Sequence, residues 1–389
     1  MIGVAILGCG VVGSGAIRML VENKERIARA AGVEVRLKAV LDRKSVQVPE
    51  GVVLTENFDE ILIDPEIGII AVTISSVTDA YDYAKRALEA GKSIITANKE
   101  LVCEHGDELE EIGSRMGVRF LYEAAACGAM PIIRPINLCL GGNRFREIAG
   151  IVNGSTNYIL TRMEESGVSF PTALDEAKRL GYAEMNPSAD VEGHDARRKI
   201  AILAHEAFSS RFTDFSLIPR EGVTRIKQED IRAAELFEGR IKLIARATLE
   251  GETWTGSVRP CFVHKSHSLY SIRDVFNAVQ IRSDFAGETT ITGRGAGSMP
   301  TASAVVGDII DAAKNPAAYP KGDLVPAFKE QKRVASYIVR IDGALPPEMS
   351  GCEIRRMSGL IAIRTPVMAE DELNWMLSDT EHGLLFPAL

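Results

Sequence analysis

The N-terminus of the chain carries the pattern that most restricts its fold. An apolar stretch from Ile2 to Leu7 runs directly into Gly8-Cys9-Gly10-Val11-Val12-Gly13, and apolar residues at helical spacing follow. A GxGxxG turn between a strand and a helix is typical of dinucleotide-binding sites; a glycine-rich turn without a ligand is the simpler alternative. Gly8 permits the bend, Gly10 admits a pyrophosphate to the backbone, and Gly13 lets the helix pack on the strand. We expect the three glycines and both valines to contact a dinucleotide phosphate at the helix N-terminus.

Strand and helix patterns alternate through the N-terminal third of the chain. Further strands are predicted at 35–41, 68–74, 93–97 and 118–122, and a helix at 79–90 ends at a glycine. The strands are continuous apolar runs, which are typical of parallel strands buried on both faces. The alternation therefore predicts an α/β fold with a doubly wound parallel sheet, the Rossmann arrangement.

The end of the second predicted strand bears on the choice of coenzyme. Asp42 stands where an acid binds the 2′-hydroxyl of NAD, and the cations Arg43 and Lys44 follow at once. Cations at this place suit the 2′-phosphate of NADP. Either coenzyme is compatible with these residues, NADP is the preferred interpretation, and a solvated turn is the alternative without a ligand.

Two further strand ends carry candidate ligand contacts. Thr73 and Ser75 lie at the end of the third strand, and Lys99 follows the fourth. Sheets of this type bind ligands at the carboxyl ends of their strands. We expect Thr73 and Ser75 to touch the nicotinamide half of the cofactor. Lys99 would meet an anionic substrate group or the reacting carbonyl, although most lysines are ordinary surface residues.

Composition excludes several classes of partner. The net charge of −8 argues against nucleic acid or an anionic membrane as the main partner. No apolar run approaches the ~20 residues of a membrane span, and no signal peptide is visible. The six cysteines are scattered without a CxxC pair, as reduced thiols of a cytoplasmic protein would be. A small-molecule substrate is therefore expected.

The middle of the chain places charged residues around a predicted helix start. A strand at 148–152 is followed by the polar run Asn153 to Tyr158, which could offer donors to an anion or simply cap a helix. A second helix starts near residue 194, and its Asp195 and Lys199 are four apart on one face. Taken alone, this pair predicts only a surface salt bridge worth roughly 0.3–0.5 kcal/mol.

Longer motifs around these residues resemble those of homoserine dehydrogenases. The similar stretches run in the same order over about residues 1 to 315 and comprise Thr96–Lys99, Tyr122–Ala124, Asn153–Leu160, Gly181–Lys199, Gly293–Gly297 and Pro300–Asp308. The Gly181–Lys199 stretch is long and far more specific than the GxGxxG turn. The chain is thus identified as similar to that family.

The resemblance implies a reaction and a role for each charged residue. The reaction is the reversible reduction of L-aspartate 4-semialdehyde to L-homoserine by NAD(P)H, on the route to threonine, methionine and isoleucine. Lys199 would protonate the developing alkoxide, and Glu184 and Asp195 would hold the substrate, with Glu184 facing its ammonium. Lys99 would lie between cofactor and substrate, and the backbone of Gly295 would approach the cofactor. A preorganised cation and a general acid both favour such a reduction.

The resemblance also implies a monovalent cation site, usually sodium, after Tyr122. The implied ligands are Glu123 and the carbonyl groups of Ala126, Gly128 and Met130, and oxygen ligands suit a hard cation. The loop departs from the family pattern because it contains fewer glycines, and larger residues are more restricted in φ and ψ. A homodimer is likewise implied.

We predict three regions from these observations. Residues 1–130 form an NAD(P)-binding Rossmann domain completed by about 298–315, and residues 131–297 form an α+β catalytic and dimerisation domain. Its mostly antiparallel sheet is expected from segments 241–249, 254–263, 277–281 and 289–292. Many family members end in a regulatory ACT domain, but residues 316–389 predict an atypical C-terminal extension with a possible strand at 337–341. A related dehydrogenase acting on another amino-acid aldehyde or keto acid is the alternative function.

Overall fold

The structure of the protein, a computed structural model, describes residues 1–211, 215–317, 326–330, 332–378 and 380–389. These residues form two compact units: Met1–Gly142, Ala201–Phe215 and Arg294–Pro326 make the first, and Asn143–Ile200, Ser216–Gly293 and Ala327–Leu389 make the second. The predicted extension 316–389 includes 318–325, 331 and 379, which lie outside the described residues. In the part that is described, no helix combines the length and apolar character needed to cross a bilayer.

The regular elements are numbered in chain order. The α-helices are α1 Val11–Glu22, α2 Lys24–Ala31, α3 Phe58–Ile63, α4 Val77–Glu89, α5 Lys99–Met116, α6 Glu123–Cys127, α7 Gly154–Ser166, α8 Phe170–Arg179, α9 Ser188–Val191, α10 His194–Phe208, α11 Gln228–Leu236, α12 Ser298–Lys314 and α13 Glu370–Met376. The strands are β1 Ile2–Leu7, β2 Val35–Leu41, β3 Val53–Thr55, β4 Ile67–Val72, β5 Ser93–Thr96, β6 Phe120–Leu121, β7 Phe145–Ile151, β8 Gly239–Glu250, β9 Thr253–His264, β10 Phe276–Ser283, β11 Glu288–Arg294, β12 Ala327–Phe328, β13 Val334–Ala335, β14 Tyr337–Ile341, β15 Glu353–Met357, β16 Leu360–Arg364, β17 Met368–Ala369 and β18 Phe386–Pro387. Single 3-10 turns occur at Phe215–Leu217, Ser268–Ser271 and Pro347–Gly351, and a π turn occurs at Pro135–Cys139.

The first unit is built on a parallel sheet in the order β3-β2-β1-β4-β5-β6. This is the strand order of a dinucleotide-binding Rossmann sheet, in which the direction of winding reverses beside β1. The prediction of a doubly wound parallel sheet is therefore confirmed. Short β3 and α3 were not predicted, because three residues at a sheet edge carry too little pattern to detect.

Helix α12 belongs to the core of the first unit although it lies far along the chain. Its apolar face (Ala302, Val305, Val306 and Ile309) is fully buried in the same cluster as Val4 and Ile6 of β1. A β-carbon on Gly15 of α1 would lie 2.8 Å from the β-carbon of Ala302, so these helices touch closely. The helix after the second glycine motif thus packs in the nucleotide fold.

The second unit contains a six-stranded sheet in the order β11-β10-β7-β8-β9-β12. The pairs β10–β7, β7–β8 and β8–β9 are antiparallel, and short β12 runs parallel to β9. The predicted antiparallel sheet is confirmed, with β8 and β9 longer than expected. Central β7 ends at Ile151, immediately before the polar run at Asn153.

The C-terminal residues form a separate sheet within the second unit, in the order β15-β16-β14-β18. This is the strand order of a split β-α-β motif. Helix α13 takes the place of the second helix of that motif, and the 3-10 turn at Pro347–Gly351 takes the place of the first. Its core includes buried Tyr337, Val339, Ile363 and Leu373. The strand expected at 337–341 is present. By contacts, the second unit begins at Asn143 and includes these C-terminal residues.

Candidate active site

The glycine turn of the first unit has the geometry of a phosphate-binding loop. Gly8 has a φ of +94°, which favours glycine, and a β-carbon on Gly13 would lie 2.7 Å from the hydroxyl of Thr73. A β-carbon on Gly10 would meet nothing within 4 Å. The space above Gly10 is therefore open at the N-terminus of α1, which has no side-chain cap. The turn fits a dinucleotide pyrophosphate.

Asp42 ties the end of β2 to this turn. One carboxylate oxygen accepts the N–H of Cys9 at 2.7 Å, and the other accepts the N–H of Lys44 at 2.9 Å. These two hydrogen bonds hold the pKa of Asp42 below its ordinary value. Beside it, the Arg43 side chain is 78% exposed and pairs with Asp79 at 3.2 Å. The strand end thus presents a fixed carboxylate next to an accessible guanidinium.

Thr73 and Lys99 lie at the carboxyl edge of the same sheet. The Thr73 hydroxyl lies 2.7 Å from the carbonyl oxygen of Gly8 and 3.0 Å from that of Leu7, so it holds the glycine turn. Lys99 is the first residue of α5, whose N-cap Asn98 accepts the N–H groups of the next turn. Ser75 is exposed, and its carbonyl faces the Asn98 amide at 3.4 Å.

The second glycine motif approaches the first. The Ser298 hydroxyl donates to the carbonyl of Val11 at 2.6 Å. A β-carbon on Gly128, whose φ is +58°, would lie 2.7 Å from the carbonyl carbon of Gly295. The start of α12 therefore lies against both the dinucleotide turn and the loop after α6. Gly128 must be glycine here for two independent reasons, its φ and its close contact.

Glu123, predicted as a cation ligand, is buried and holds the loop that follows it. Its carboxylate accepts the N–H groups of Ile132, Ile133 and Arg134 at 2.7 to 2.9 Å. Its own N–H donates to Asp308 at 2.9 Å, and Arg134 also binds Asp308 at 2.6 Å. Burial raises the pKa of Asp308 to about 7. Sequence reasoning missed Arg134 and the role of Asp308, since nothing local predicts that they meet.

The loop after Glu123 tolerates its scarcity of glycine. Ala126 lies inside helix α6, which alanine favours, and Gly128 is the residue that takes a positive φ. Met130 is buried, and its N–H donates to the carbonyl of Cys127 at 3.1 Å. The departure from the family pattern therefore introduces no unfavourable backbone conformation at these positions.

In the second unit, Lys199 is buried rather than on the surface. Its ammonium lies 2.8 Å from Oδ2 of Asp195 and 2.8 Å from the carbonyl oxygen of Val152, the residue after β7. The predicted i, i+4 pair is therefore present, but it lies inside the unit and is completed by a backbone carbonyl. Burying a charge is costly unless it is paired and hydrogen-bonded, which argues against a pair of only structural value.

Two residues around this pair were not predicted as site residues. Asn153 caps α7 through its side-chain oxygen, and its amide nitrogen lies 2.7 Å from Asp190 and 2.9 Å from Asp195. Burial, and then the charge of Asp195, raises the pKa of Asp190. The N-cap pattern was visible in the sequence, but the carboxylates that meet the amide were not.

Glu184 lies on the exposed loop between α8 and α9. The loop is anchored at Tyr182, whose carbonyl accepts the hydroxyl of Ser155 at 2.5 Å and whose ring contacts that of Tyr158 at 4.9 Å between centroids. The carboxylate is thus carried on a solvent-facing segment that is fixed to α7, the helix capped by Asn153.

The open glycine turn on a Rossmann sheet defines a dinucleotide-binding protein, and a buried lysine beside a carboxylate is suited to proton transfer at a carbonyl. Together they define the class of nucleotide-dependent dehydrogenases. Residues 8–123 match the NAD-binding domain of homoserine dehydrogenase, and residues 131–310 match the homoserine dehydrogenase family. The chain belongs to the homoserine dehydrogenase family, and it has a nucleotide-cofactor domain.

Individual relatives agree with this assignment. A homoserine dehydrogenase of Neisseria gonorrhoeae is 37% identical over 80% of this chain and 72% of its own length. The crystal structure of one from Thiobacillus denitrificans has a TM-score of 0.91 at 31% identity, covering 100% of this chain and 98% of that one. A hyperthermophilic archaeal homoserine dehydrogenase mutant in complex with NADPH has a TM-score of 0.68 at 26% identity, covering 82% and 99%.

The geometry of the glycine turn predicts that a substitution at Gly10 weakens dinucleotide binding without affecting folding. We expect Gly10→Ala to fold normally, because its β-carbon meets nothing, yet to weaken NADPH binding about 10- to 100-fold by blocking the pyrophosphate. Calorimetric titration with NADPH and thermal unfolding measure the two effects. Gly142→Ala, also open around its β-carbon, is the control. Equal affinity in both variants would contradict this phosphate site.

Proposed function

We propose that this chain catalyses the reversible reduction of L-aspartate 4-semialdehyde to L-homoserine with NAD(P)H, a step towards threonine, methionine and isoleucine. The supporting observation is the buried ammonium of Lys199 between Asp195 and the carbonyl of Val152, in a member of the homoserine dehydrogenase family. A surface salt bridge would need neither burial nor the third partner.

Lys199 acts as the general acid in this proposal. When bound, NAD(P)H would supply the hydride to the aldehyde carbon, so that negative charge develops on the aldehyde oxygen of the substrate. The Lys199 ammonium donates a hydrogen bond to that oxygen and then transfers its proton, which yields the alcohol. Asp195 keeps the ammonium oriented, and in the reverse direction the neutral amine accepts the proton from the homoserine hydroxyl.

The remaining charges recognise the ends of the substrate. Glu184 provides a carboxylate for the substrate ammonium, and its exposed loop leaves it accessible to a small ligand. Asp195 shares in holding the substrate through the ammonium that it orients. Lys99, at the start of α5 on the ligand-binding edge of the Rossmann sheet, is proposed to contact cofactor and substrate.

Replacing Lys199 by arginine tests the proton transfer. Arginine keeps the positive charge beside Asp195 but does not release its proton near neutral pH. We expect kcat for aspartate semialdehyde to fall about 10²- to 10⁴-fold, with NADPH affinity preserved. Stopped-flow measurement of NADPH oxidation checks this, with the exposed Lys265→Arg as control. Turnover at the parent rate would refute the assignment.

We propose that the enzyme prefers NADP over NAD. Asp42 is occupied by the N–H groups of Cys9 and Lys44, whereas Arg43 is accessible at the same strand end. A guanidinium there forms charge-assisted hydrogen bonds with the 2′-phosphate of NADP.

Removing that guanidinium distinguishes the two coenzymes. We expect Arg43→Ala to raise KM for NADPH about 10-fold and to change KM for NADH about 2-fold or less, because one charged hydrogen-bond partner is lost. Steady-state kinetics with both coenzymes measure this, and Arg36→Ala, exposed near the other end of β2, is the control. A parallel loss with both coenzymes would contradict the preference.

We further propose a sodium site in the loop after α6. The carbonyls of Ala126, Gly128 and Met130 are the oxygen donors that a hard cation takes, and α6 directs its carboxyl end towards this loop. The Glu123 carboxylate already accepts three N–H groups, so its contribution is chiefly to hold the loop. A bound cation would fix this loop against Gly295.

Sodium is then expected to stabilise the protein as well as to activate it. The midpoint temperature of thermal unfolding should rise by a few degrees and then level off as sodium chloride is added, because a ligand that binds the native state stabilises it by mass action. Choline chloride at the same ionic strength should not raise it. Identical curves in sodium, potassium and choline salts would exclude a specific site. Activity in the three salts is the second measurement.

We propose a homodimer, as the family suggests. A cytoplasmic location is also proposed, and the six free cysteines agree with a reducing compartment. Sedimentation equilibrium measures the assembly directly, with twice the chain mass of 42.2 kDa expected. A mass of one chain at micromolar concentration would rule out the dimer.

A further inference from the structure

We infer that Asn153 is a positioning residue for Lys199, acting through two carboxylates at once. Its amide nitrogen lies 2.7 Å from Oδ1 of Asp190 and 2.9 Å from Oδ2 of Asp195. That same Oδ2 of Asp195 lies 2.8 Å from the Lys199 ammonium. The inference rests on the proposed function, because Lys199 has its catalytic role there.

The contacts of Asn153 exceed those of a helix cap. Its side-chain oxygen accepts the Thr156 N–H at 2.9 Å, which is all that capping α7 requires, and serine or aspartate would do this equally well. An amide differs because it combines an acceptor with two N–H donors in one plane. Asn153 is only 5% exposed, so each donor is directed at a partner within the protein.

The two carboxylates need this donor because they are close and of like charge. Both oxygens lie within 2.9 Å of one amide nitrogen, so the two carboxylates are near neighbours and repel each other. In line with this, burial and then the charge of Asp195 raise the pKa of Asp190. One N–H to each carboxylate offsets that repulsion and fixes the orientation of Asp195. Because the Lys199 ammonium is bound to Asp195, fixing Asp195 also fixes the ammonium. The Val152 carbonyl oxygen, which accepts a hydrogen bond from the same ammonium, restricts its position further.

Asn153→Ser separates positioning from capping. Serine caps α7 as well as asparagine does but donates to neither carboxylate, so the cap is retained while the loss of two buried hydrogen bonds lowers the midpoint of thermal unfolding by a few degrees. We expect kcat to fall about 100-fold with KM nearly unchanged, because the acid is misplaced rather than the substrate lost. Asn57→Ser is the control, since Asn57 caps α3 by accepting the N–H of Asp59 and has no carboxylate partner described. Equal kcat in Asn153→Ser and Asn57→Ser would overturn the inference.

Asn153→Asp tests the electrostatic part and keeps the cap and the volume. A third carboxylate beside the ammonium favours its charged form, so the ascending limb of the pH profile for homoserine oxidation should move up by about one pH unit. Because a charge this close acts on the ammonium in either case, the rate at the plateau of the profile is the decisive reading: it falls if Asn153 positions Lys199 and stays at the parent value if Asn153 only caps α7. Because this variant preserves the fold-determining cap, it remains informative if Asn153→Ser is unstable.

A measurement independent of turnover separates this inference from the proposed function. The pH dependence of acetylation of Lys199 by acetic anhydride, followed by peptide mass spectrometry, reports on the ammonium itself. Asn153→Asp should shift its midpoint upward relative to the parent and to Asn57→Asp. An unshifted midpoint refutes the inference. An absence of activity with aspartate semialdehyde in the parent enzyme, together with a shifted midpoint, refutes only the proposed function.

Discussion

The buried ammonium of Lys199 is the constraint on which the second unit depends. A charge removed from water must be paired and hydrogen-bonded, and removing one partner of a buried ion pair typically lowers the free energy of unfolding by about 3–5 kcal/mol. The unit meets that demand with Asp195 and the Val152 carbonyl, each at 2.8 Å. This requires the end of β7, the cap of α7 and the start of α10 to converge within one hydrogen-bonded cluster. The same convergence leaves a proton donor in a defined direction, which is the property a carbonyl reduction needs.

The first unit solves a different problem, since it must leave backbone open to a phosphate. Close packing surrounds Gly8 and Gly13, whereas Gly10 faces open space. The helix α12 closes the unit from the far end of the sequence and ties its first turn to Val11 through Ser298. The loop after α6 is held by hydrogen bonds and an ion pair among Glu123, Arg134 and Asp308.

Much of the fold could be predicted because its signals are local. Apolar runs and glycine turns in the first unit are periodic over a few residues, and they predicted β1, β2, β4 and β5 to within two residues at each end. The C-terminal sheet was missed apart from β14, because its strands are short and partly exposed and its order depends on pairings across β14. The burial of Arg340 against Asp230, which lie 110 residues apart, likewise had no local signal.

Local patterns along the chain were enough to predict the nucleotide turn, the strand–helix alternation and the placement of Asp195 four residues before Lys199, since each depends on near neighbours in sequence. Family membership followed from motifs of the same kind. The burial of this pair, its contact with Val152, 47 residues away, and the link that Asn153 makes between Asp195 and Asp190 depend on how distant segments pack. The physical reason is that a hydrogen bond is directional and short-ranged. Which distant groups come within 3 Å is set by how the whole unit packs and not by local spacing.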